Sequence, residues 1–271
     1  MGRAPVWLCC ALVGCAGAEA TTLPSTAKPG AVTTATNEVG INPGETMAFE
    51  VRLNGVLAGE AALAVGEVGE VDGKRAVVVK SRAATAGAVA VIAKIVDEAT
   101  TTIDLATGRP MLLDTFVEQG AKRTEAHATF TGTVADVTYK RSDEEKPHTF
   151  KINFGQNPVH DTHSAMAQVR GWRPTPGATR SVFVVGGRRL WRVDVRLAGT
   201  ETVGSALGNR RAIKFEGQSF RAKPNFEIEA NRPARTFTVW LSDDADRVPL
   251  KVLAHTELGD VTVDLTDYQR P

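Results

Sequence analysis

Histidine, aspartate and serine are the side chains here whose spacing could support chemistry, and two segments concentrate them. His160-Asp161-Thr162-His163 sets two imidazoles three residues apart, which on one face of a helix could share a metal ion with Asp161. Such a pair needs a third ligand, and the sequence identifies none. The preferred reading is a helix N-terminus in which Asp161 caps and the imidazoles are solvated or hydrogen-bonded. His160 and His163 stand as the metal candidates, with no metal assigned. Ser242-Asp243-Asp244-Ala245-Asp246-Arg247 has the acidic density of a calcium loop. It lacks the glycine at the sixth position and the distal glutamate that such loops use. Between alternating segments it reads as a turn, since Ser and Asp side chains bond nearby backbone. No Gly-x-Ser-x-Gly elbow singles out a nucleophile, and Gly186-Gly187 and Gly204 lie between strand patterns, not ahead of a helix that could cradle phosphate. Arg188-Arg189 and Arg210-Arg211 read as solvated turn residues. No catalytic residue and no cofactor are assigned.

The thiols carry a different message. Cys9, Cys10 and Cys15 are the only cysteines. They lie in or just after a short apolar run, Val6 to Val13, that follows Arg3 and precedes small residues, the layout of a secretion signal. The run is far below the ~20 residues that span a bilayer. Leu12-Val13-Gly14-Cys15 resembles a bacterial lipobox, which implies cleavage before Cys15 and lipid attachment to its sulfur. Two or three acyl chains then give stable anchoring where one would not. The competing reading is cleavage near Ala16-Gly17-Ala18 or Ala18-Glu19-Ala20 by an ordinary signal peptidase, which releases a soluble periplasmic protein. Ala16 replaces the aspartate of the enterobacterial inner-membrane retention rule, which favours the outer membrane.

Composition excludes several classes. With 32 Lys and Arg against 31 Asp and Glu, loss of Arg3 with the leader leaves the charges equal. No basic run exceeds two residues, which argues against nucleic acid and against attraction to anionic lipid. Aromatic residues make up 6%, too few for extended stacking platforms. With Cys15 the one cysteine left after cleavage, no disulfide can form within the exported part, which must hold together through its core alone.

These residues need elements to position them. Residues 1–14 are expected to be signal and 15–42, rich in Ala, Thr, Pro and Gly, a lipid-anchored flexible tether. Residues 43–270 are expected to form a β-rich periplasmic domain. There Met47, Phe49, Val51 and Leu53 alternate with polar residues, Asn54-Gly55 breaks the run, and Leu57 to Val65 resume it, a strong hairpin signal. Further pairs are expected for 98–105 with 111–118, 122–130 with 133–141, and 182–185 with 191–197. A three-stranded meander follows over 237–241, 248–252 and 261–265. The pattern predicts a mainly β fold: an antiparallel curled sheet or open barrel of hairpin-connected strands with one or two short helices.

Two segments depart from period two. Residues 86–96 fit a helix with Val89, Ile92 and Val96 on one side, or a buried strand. Residues 161–171 fit a helix capped by Asp161, with Ala165, Met166 and Val169 on one face and Gly171 at its end. A lone helix in such a chain is expected to plug a barrel mouth or cover an open sheet.

Several segments together resemble a known bacterial envelope family. They are Gly44 to Val51 leading to Ala58-Gly59-Glu60-Ala61, His160 to Ala165, Gly187-Arg188-Arg189-Leu190-Trp191, Val239 to Leu250, and Leu258-Gly259-Asp260-Val261. Their order and spacing are similar to domain of unknown function family 3108, over roughly residues 43–268. The resemblance implies a periplasm-facing, mostly antiparallel β domain and no known catalytic residues. Met166-Ala167-Gln168-Val169 stands where a more aromatic run is expected.

The expected function is a non-catalytic binding or structural module of the cell envelope. Its partners would be the membrane, through the lipid anchor, and an apolar ligand such as an acyl chain or an envelope protein on the concave face. Strands 240–265 loosely resemble β-sheet lipoprotein carriers. One alternative is an envelope hydrolase acting on peptidoglycan or lipid, which requires a clustered His/Asp/Ser constellation. Another is a soluble periplasmic scaffold with a filled core.

Overall fold

A computed structural model describes residues 39–270. The first hairpin forms as its alternation requires. Strands β1 (Thr46–Leu53) and β2 (Val56–Val65) flank Asn54-Gly55 with φ of 49° and 81°. Two positive φ values in succession mark the tight turn whose twist matches that of paired strands. Then come β3 (Gly69–Val71), β4 (Lys74–Thr85), the helix α1 (Gly87–Ile92), β5 (Ile95–Asp104), β6 (Arg109–Gln119), β7 (Lys122–Thr131), β8 (Val134–Arg141) and β9 (His148–Asn153). After β10 (Val159–Asp161) and the helix α2 (Thr162–Gly171), the chain continues as β11 (Thr179–Gly186), β12 (Arg189–Ser205), β13 (Gly208–Ala222), β14 (Arg235–Ser242), β15 (Pro249–Thr256) and β16 (Gly259–Gln269).

These strands make one curled sheet in the order β10-β11-β12-β13-β14-β15-β16-β1-β2-β4-β5-β6-β7-β8-β9, with β3 paired to β4. Every pairing is antiparallel except β10 with β11. The strand order ends on β10 and β9, so no hydrogen-bonded ladder closes the barrel. Packing joins its two ends instead. Val159 of β10, with Val185, Leu190 and Ala222, shares a core cluster with Leu113, Ala128, Ala135, Val137 and Ile152. The fold is therefore mainly β, an open barrel of hairpin-connected strands with two helices.

Helix α2 lies inside the curl. Ala165, Met166, Val169 and Trp172 pack on the core of β11–β15, and Trp172 stacks on Phe215 at 5.8 Å between ring centroids. His163, on another face of the helix, reaches β4 and β5. The helix thus stuffs the concave side of the sheet, as a lone helix in a β chain was expected to do.

Two expectations are revised. Of the two readings of residues 86–96 the helix holds, but over a shorter span, and it does not carry Val89, Ile92 and Val96 on one side. Only residues 87–92 are helical, Val96 belongs to β5, and Val91 and Ile92 are 88% and 87% exposed. The segment bridges β4 and β5 and leaves Val91 and Ile92 in solvent. Residues 39–42, assigned to the tether, lie against the domain. Gly40 N–H donates to Ala167 O at 3.2 Å, and Ile41 packs on Val65, Val77, Val79 and Ile103. The rest of the signal and tether segments lies outside the described residues.

Candidate functional site

The His160–His163 segment forms a buried polar cluster. His160 ends up on β10 and not on the helix, while Asp161 is the N-cap of α2. Its carboxylate accepts from Ser164 N–H at 3.0 Å and His163 N–H at 3.2 Å, two of the donors that a helix start leaves unbonded. Ser164 returns the favour: its Oγ accepts from Asp161 N–H at 3.0 Å, completing a capping box.

The same carboxylate orders two more hydroxyls. Ser164 Oγ–H donates to Asp161 Oδ1 at 2.5 Å, and Thr101 Oγ1–H donates to Oδ2. A carboxylate only accepts, so both hydroxyl protons are committed. Ser164 Oγ, 3.2 Å from His160 Nδ1, must then accept from it, as must Thr101 Oγ1, 2.7 Å from His163 Nδ1. Both rings therefore carry their proton on Nδ1 and present a bare Nε2. On His163 that nitrogen accepts from Ser81 Oγ–H at 2.8 Å. Burial pushes the His163 pKa down against the opposing pull of Asp161, and it pushes the His160 pKa down to about 4. Both imidazoles are neutral near pH 7.

The pair does not share an ion-binding face. Their Nδ1 atoms serve different hydroxyls, and among the described residues no three His, Cys, Asp or Glu side chains gather as a metal set. What the fold assembles is a chain Ser81–His163–Thr101–Asp161. It has the polarity of a nucleophile–base–acid relay, with a threonine hydroxyl inserted between base and acid. Ser81, however, sits in mid-strand between Leu63 of β2 and Ala99 of β5. Its backbone is tied into the sheet ladder and cannot aim an N–H at a developing oxyanion. The evident work of the chain is to bolt α2 to two strands.

Glu45 and Arg170 make a second buried anchor. Both side chains are at most 5% exposed, with Arg170 Nη1 2.5 Å from Glu45 Oε1 and Nη2 2.9 Å from Oε2. Arg170 also donates to the carbonyls of Asp246 and Arg247, at 2.9 and 3.1 Å. It thereby fixes the Ser242–Arg247 segment, which is a turn: Asp244 Oδ1 accepts from Ser242 Oγ–H and from the N–H groups of Asp246 and Arg247. Of the paired arginines, Arg188 lies in an exposed turn as read, and Arg210 and Arg211 are exposed but lie in a strand and not in a turn. Arg189 lies on β12, Arg210 and Arg211 lie on β13, and Arg188 sits 6.0 Å from the Tyr139 ring. Cys15 falls outside the described residues.

At the opposite end of the sheet from Arg170, three connections expose apolar side chains. Val56 (65%) and Leu57 (37%) follow the β1–β2 turn, Leu258 (53%) sits in the β15–β16 turn, and Val91 and Ile92 project from α1. The turns are tied together, since Asn54 Nδ2–H donates to Leu258 O at 3.0 Å and Ala86 N–H donates to Ala58 O at 3.0 Å.

Local spacing announced only Asp161 and the two histidines. Ser81, Thr101, Glu45 and the apolar rim carry no local signal, because their partners lie tens to hundreds of residues away.

Solved structures of similar shape exist at very low sequence identity. A β-barrel-like protein of domain of unknown function DUF1849 from Brucella abortus superposes with a TM-score of 0.54 at 8% identity, covering 85% of this chain and 98% of that one. A Bacteroides fragilis protein with a YmcC-like fold gives 0.41 at 7% identity, covering 87% and 100%. The hypothetical lipoprotein YmcC from Escherichia coli gives 0.30 at 11% identity, covering 85% and 88%. No curated protein matches the sequence. The model of the family described as protein of unknown function DUF3108 matches residues 48–266, and the chain belongs to that family.

Proposed function

We propose that this protein is a non-catalytic binding module of the bacterial cell envelope that seats on a lipid surface through its apolar rim. The rim carries the reading: five aliphatic side chains from three connections stand in solvent at one end of the sheet. Burying an aliphatic side chain is worth roughly 1.5–3 kcal/mol, so a shared patch is a standing drive to associate. The rim side chains stand at the ends of two hairpins and on α1. Two shallow depressions of about 440 and 470 Å³, one across β5–β8 and one beside Val39–Pro43 and Arg170, are lined by other residues. Because α2 fills the concave face, the binding surface is outside the barrel. In this reading residues 1–14 are removed, Cys15 carries the lipid, and the module faces the periplasm from the outer membrane.

Flotation tests it, using the full chain with Cys15→Ser so that no acyl anchor contributes. The chain is expected to float with phosphatidylethanolamine–phosphatidylglycerol vesicles. Val91→Asp with Ile92→Asp should lower the bound fraction about tenfold, the equivalent of 1.4 kcal/mol, at an unchanged melting temperature. Equal flotation of both chains, or none by either, overturns the reading.

The Ser81–His163–Thr101–Asp161 chain favours a second reading, an envelope hydrolase acting on an ester or amide. A fluorophosphonate probe that labels Ser81, and fails to do so in His163→Ala, would replace the first reading with this one.

A further inference from the structure

The depression of about 470 Å³ lies at the end of the sheet away from the rim, and its volume falls within the ~300–1,000 Å³ of ligand clefts. One wall is the entering chain itself, Val39–Pro43. That wall is pinned on both sides: Gly40 N–H donates to Ala167 O of α2 at 3.2 Å, and Gly44 N–H donates to Val65 O of β2 at 3.0 Å. A Cβ on Gly40 would fall within the space of Arg170 and Gly171, so glycine lets the chain lie directly on the helix. The lining has two characters. Val39, Ile41, Val68 and Leu105 are aliphatic, and Ile41 and Leu105 continue into the core beneath. Val68, between β2 and β3, is 40% exposed, and among the described residues it is the one large exposed aliphatic side chain outside the rim. Arg75 of β4 and Arg173, just past α2, are cationic. The other two charges in the lining are balanced inside the fold, Arg170 by Glu45 and Asp246 by Arg270 at 3.0 Å. Arg75 makes no ion pair among the described residues and leaves the lining positive. Arg173 Nη1 donates to Arg170 O at 2.6 Å, which offsets the negative pole of α2 at this spot.

We propose that this depression binds a small anionic amphiphile, a carboxylate or phosphate head on a short aliphatic chain. A positive guanidinium and an exposed aliphatic wall share one concavity, and that pairing matches a ligand with one charge and an apolar body. A purely ionic ligand would leave Val68 in water, and a purely apolar one would strip water from Arg75 without giving it a partner. The guanidinium fork suits the paired oxygens of a carboxylate or phosphate head. Because Val39–Pro43 forms a wall of the site, a bound ligand adds contacts to the segment by which the chain enters the domain. The site is distinct from the apolar rim and does not depend on it.

Titration calorimetry on the full chain with Cys15→Ser, at low ionic strength and pH 7.5, tests the proposal with octanoate, octanol and acetate. Octanoate is expected to bind at least about tenfold more tightly than either of the others, because it alone offers both head and chain. Added salt should weaken octanoate and leave octanol unchanged. Arg75 is exposed, so Arg75→Ala should fold normally and weaken octanoate about tenfold, the scale of one hydrogen bond to a charged group. Val91→Asp with Ile92→Asp should leave octanoate binding unchanged, and octanoate should slow hydrogen exchange at the Gly40 and Gly44 amides. Octanol binding as tightly as octanoate, an Arg75→Ala chain that binds octanoate unchanged, or loss of octanoate binding in the rim variant overturns the site. Binding by a Glu38→Gln variant but not by the parent chain would assign the depression to the chain's own preceding segment, and binding by neither would leave it without this ligand. Both results overturn the proposal. Octyl phosphate distinguishes the sources. Tighter binding than octanoate supports the site with a single-chain phosphate lipid as ligand, and equal or weaker binding supports it with a fatty acid.

Discussion

Asp161 and His163 stand 3.7 Å apart, yet the carboxylate governs the ring through Thr101, whose hydroxyl bonds to both. Through Ser164 the same carboxylate governs His160. One buried anion therefore sets the proton positions of two imidazoles and caps the helix between them.

Replacing that anion should be costly. Asp161→Ala removes the cap and leaves the Thr101 and Ser164 hydroxyls without their acceptor, a loss of about 2–4 kcal/mol. Asp161→Asn keeps the shape but adds two donors, so it should recover only part of the loss and scramble the tautomers. Urea unfolding reads the first effect, and ¹⁵N imidazole shifts read the second. A neutral Asp161→Ala would show that the cluster is not holding α2.

Stability should fall in mild acid. An unfolded imidazole titrates near 6.5, whereas burial holds His160 down to about 4. Between those values the unfolded chain binds more protons than the folded one, so stability rises with pH through this window. The His160 contribution is complete above pH 6.5 and shrinks by about 3 kcal/mol as pH drops to 4. His163, shifted in the same direction, steepens the trend. Unfolding midpoints at pH 7, 5.5 and 4.5 should decline in order, and His160→Phe should flatten the slope.

Glu45 and Arg170 should behave as a buried pair whose halves cannot stand alone. Glu45→Gln or Arg170→Met each strands a charge or its donors in the interior, at a cost of about 3–5 kcal/mol. The double variant should lose clearly less than the sum of the two, which a double-mutant cycle measures. Additive losses would mean that the two side chains act independently.

Gly217 faces Phe237 across the β13–β14 ladder, and a Cβ at 217 would fall within the space of the ring. Gly217→Ala should cost about 1–3 kcal/mol through overpacking. Adding Phe237→Leu should return part of it, and thermal melting of the three variants separates the outcomes.

Most of the sheet was legible because alternation and turn chemistry are local. Asn54-Gly55 fixed the first hairpin, and the last meander followed from the Phe237, Val248 and Val261 runs. The capping role of Asp161 was legible for the same reason. Two things were not. Periodicity cannot reveal which side chains of residues 86–96 are covered, and Ile92 proved exposed. The polar cluster joins Ser81 and Thr101 to a helix that begins at 162, and only the curl of the sheet brings them together. Glu45 and Arg170, 125 residues apart, are hidden from local spacing in the same way.

The stretch from Val39 to Glu45 is fastened to α2 twice, by Gly40 to Ala167 and by Glu45 to Arg170, at the end of the sheet away from the rim. A load applied through the preceding chain would therefore be taken first by the internal helix and not by the edge of β1. The eight residues of β1, roughly 25 Å of strand, lie between that point of traction and the Asn54-Gly55 turn. Under such a load the domain would be gripped at its Val39–Glu45 end, and the exposed apolar rim would be the part furthest from the point of traction.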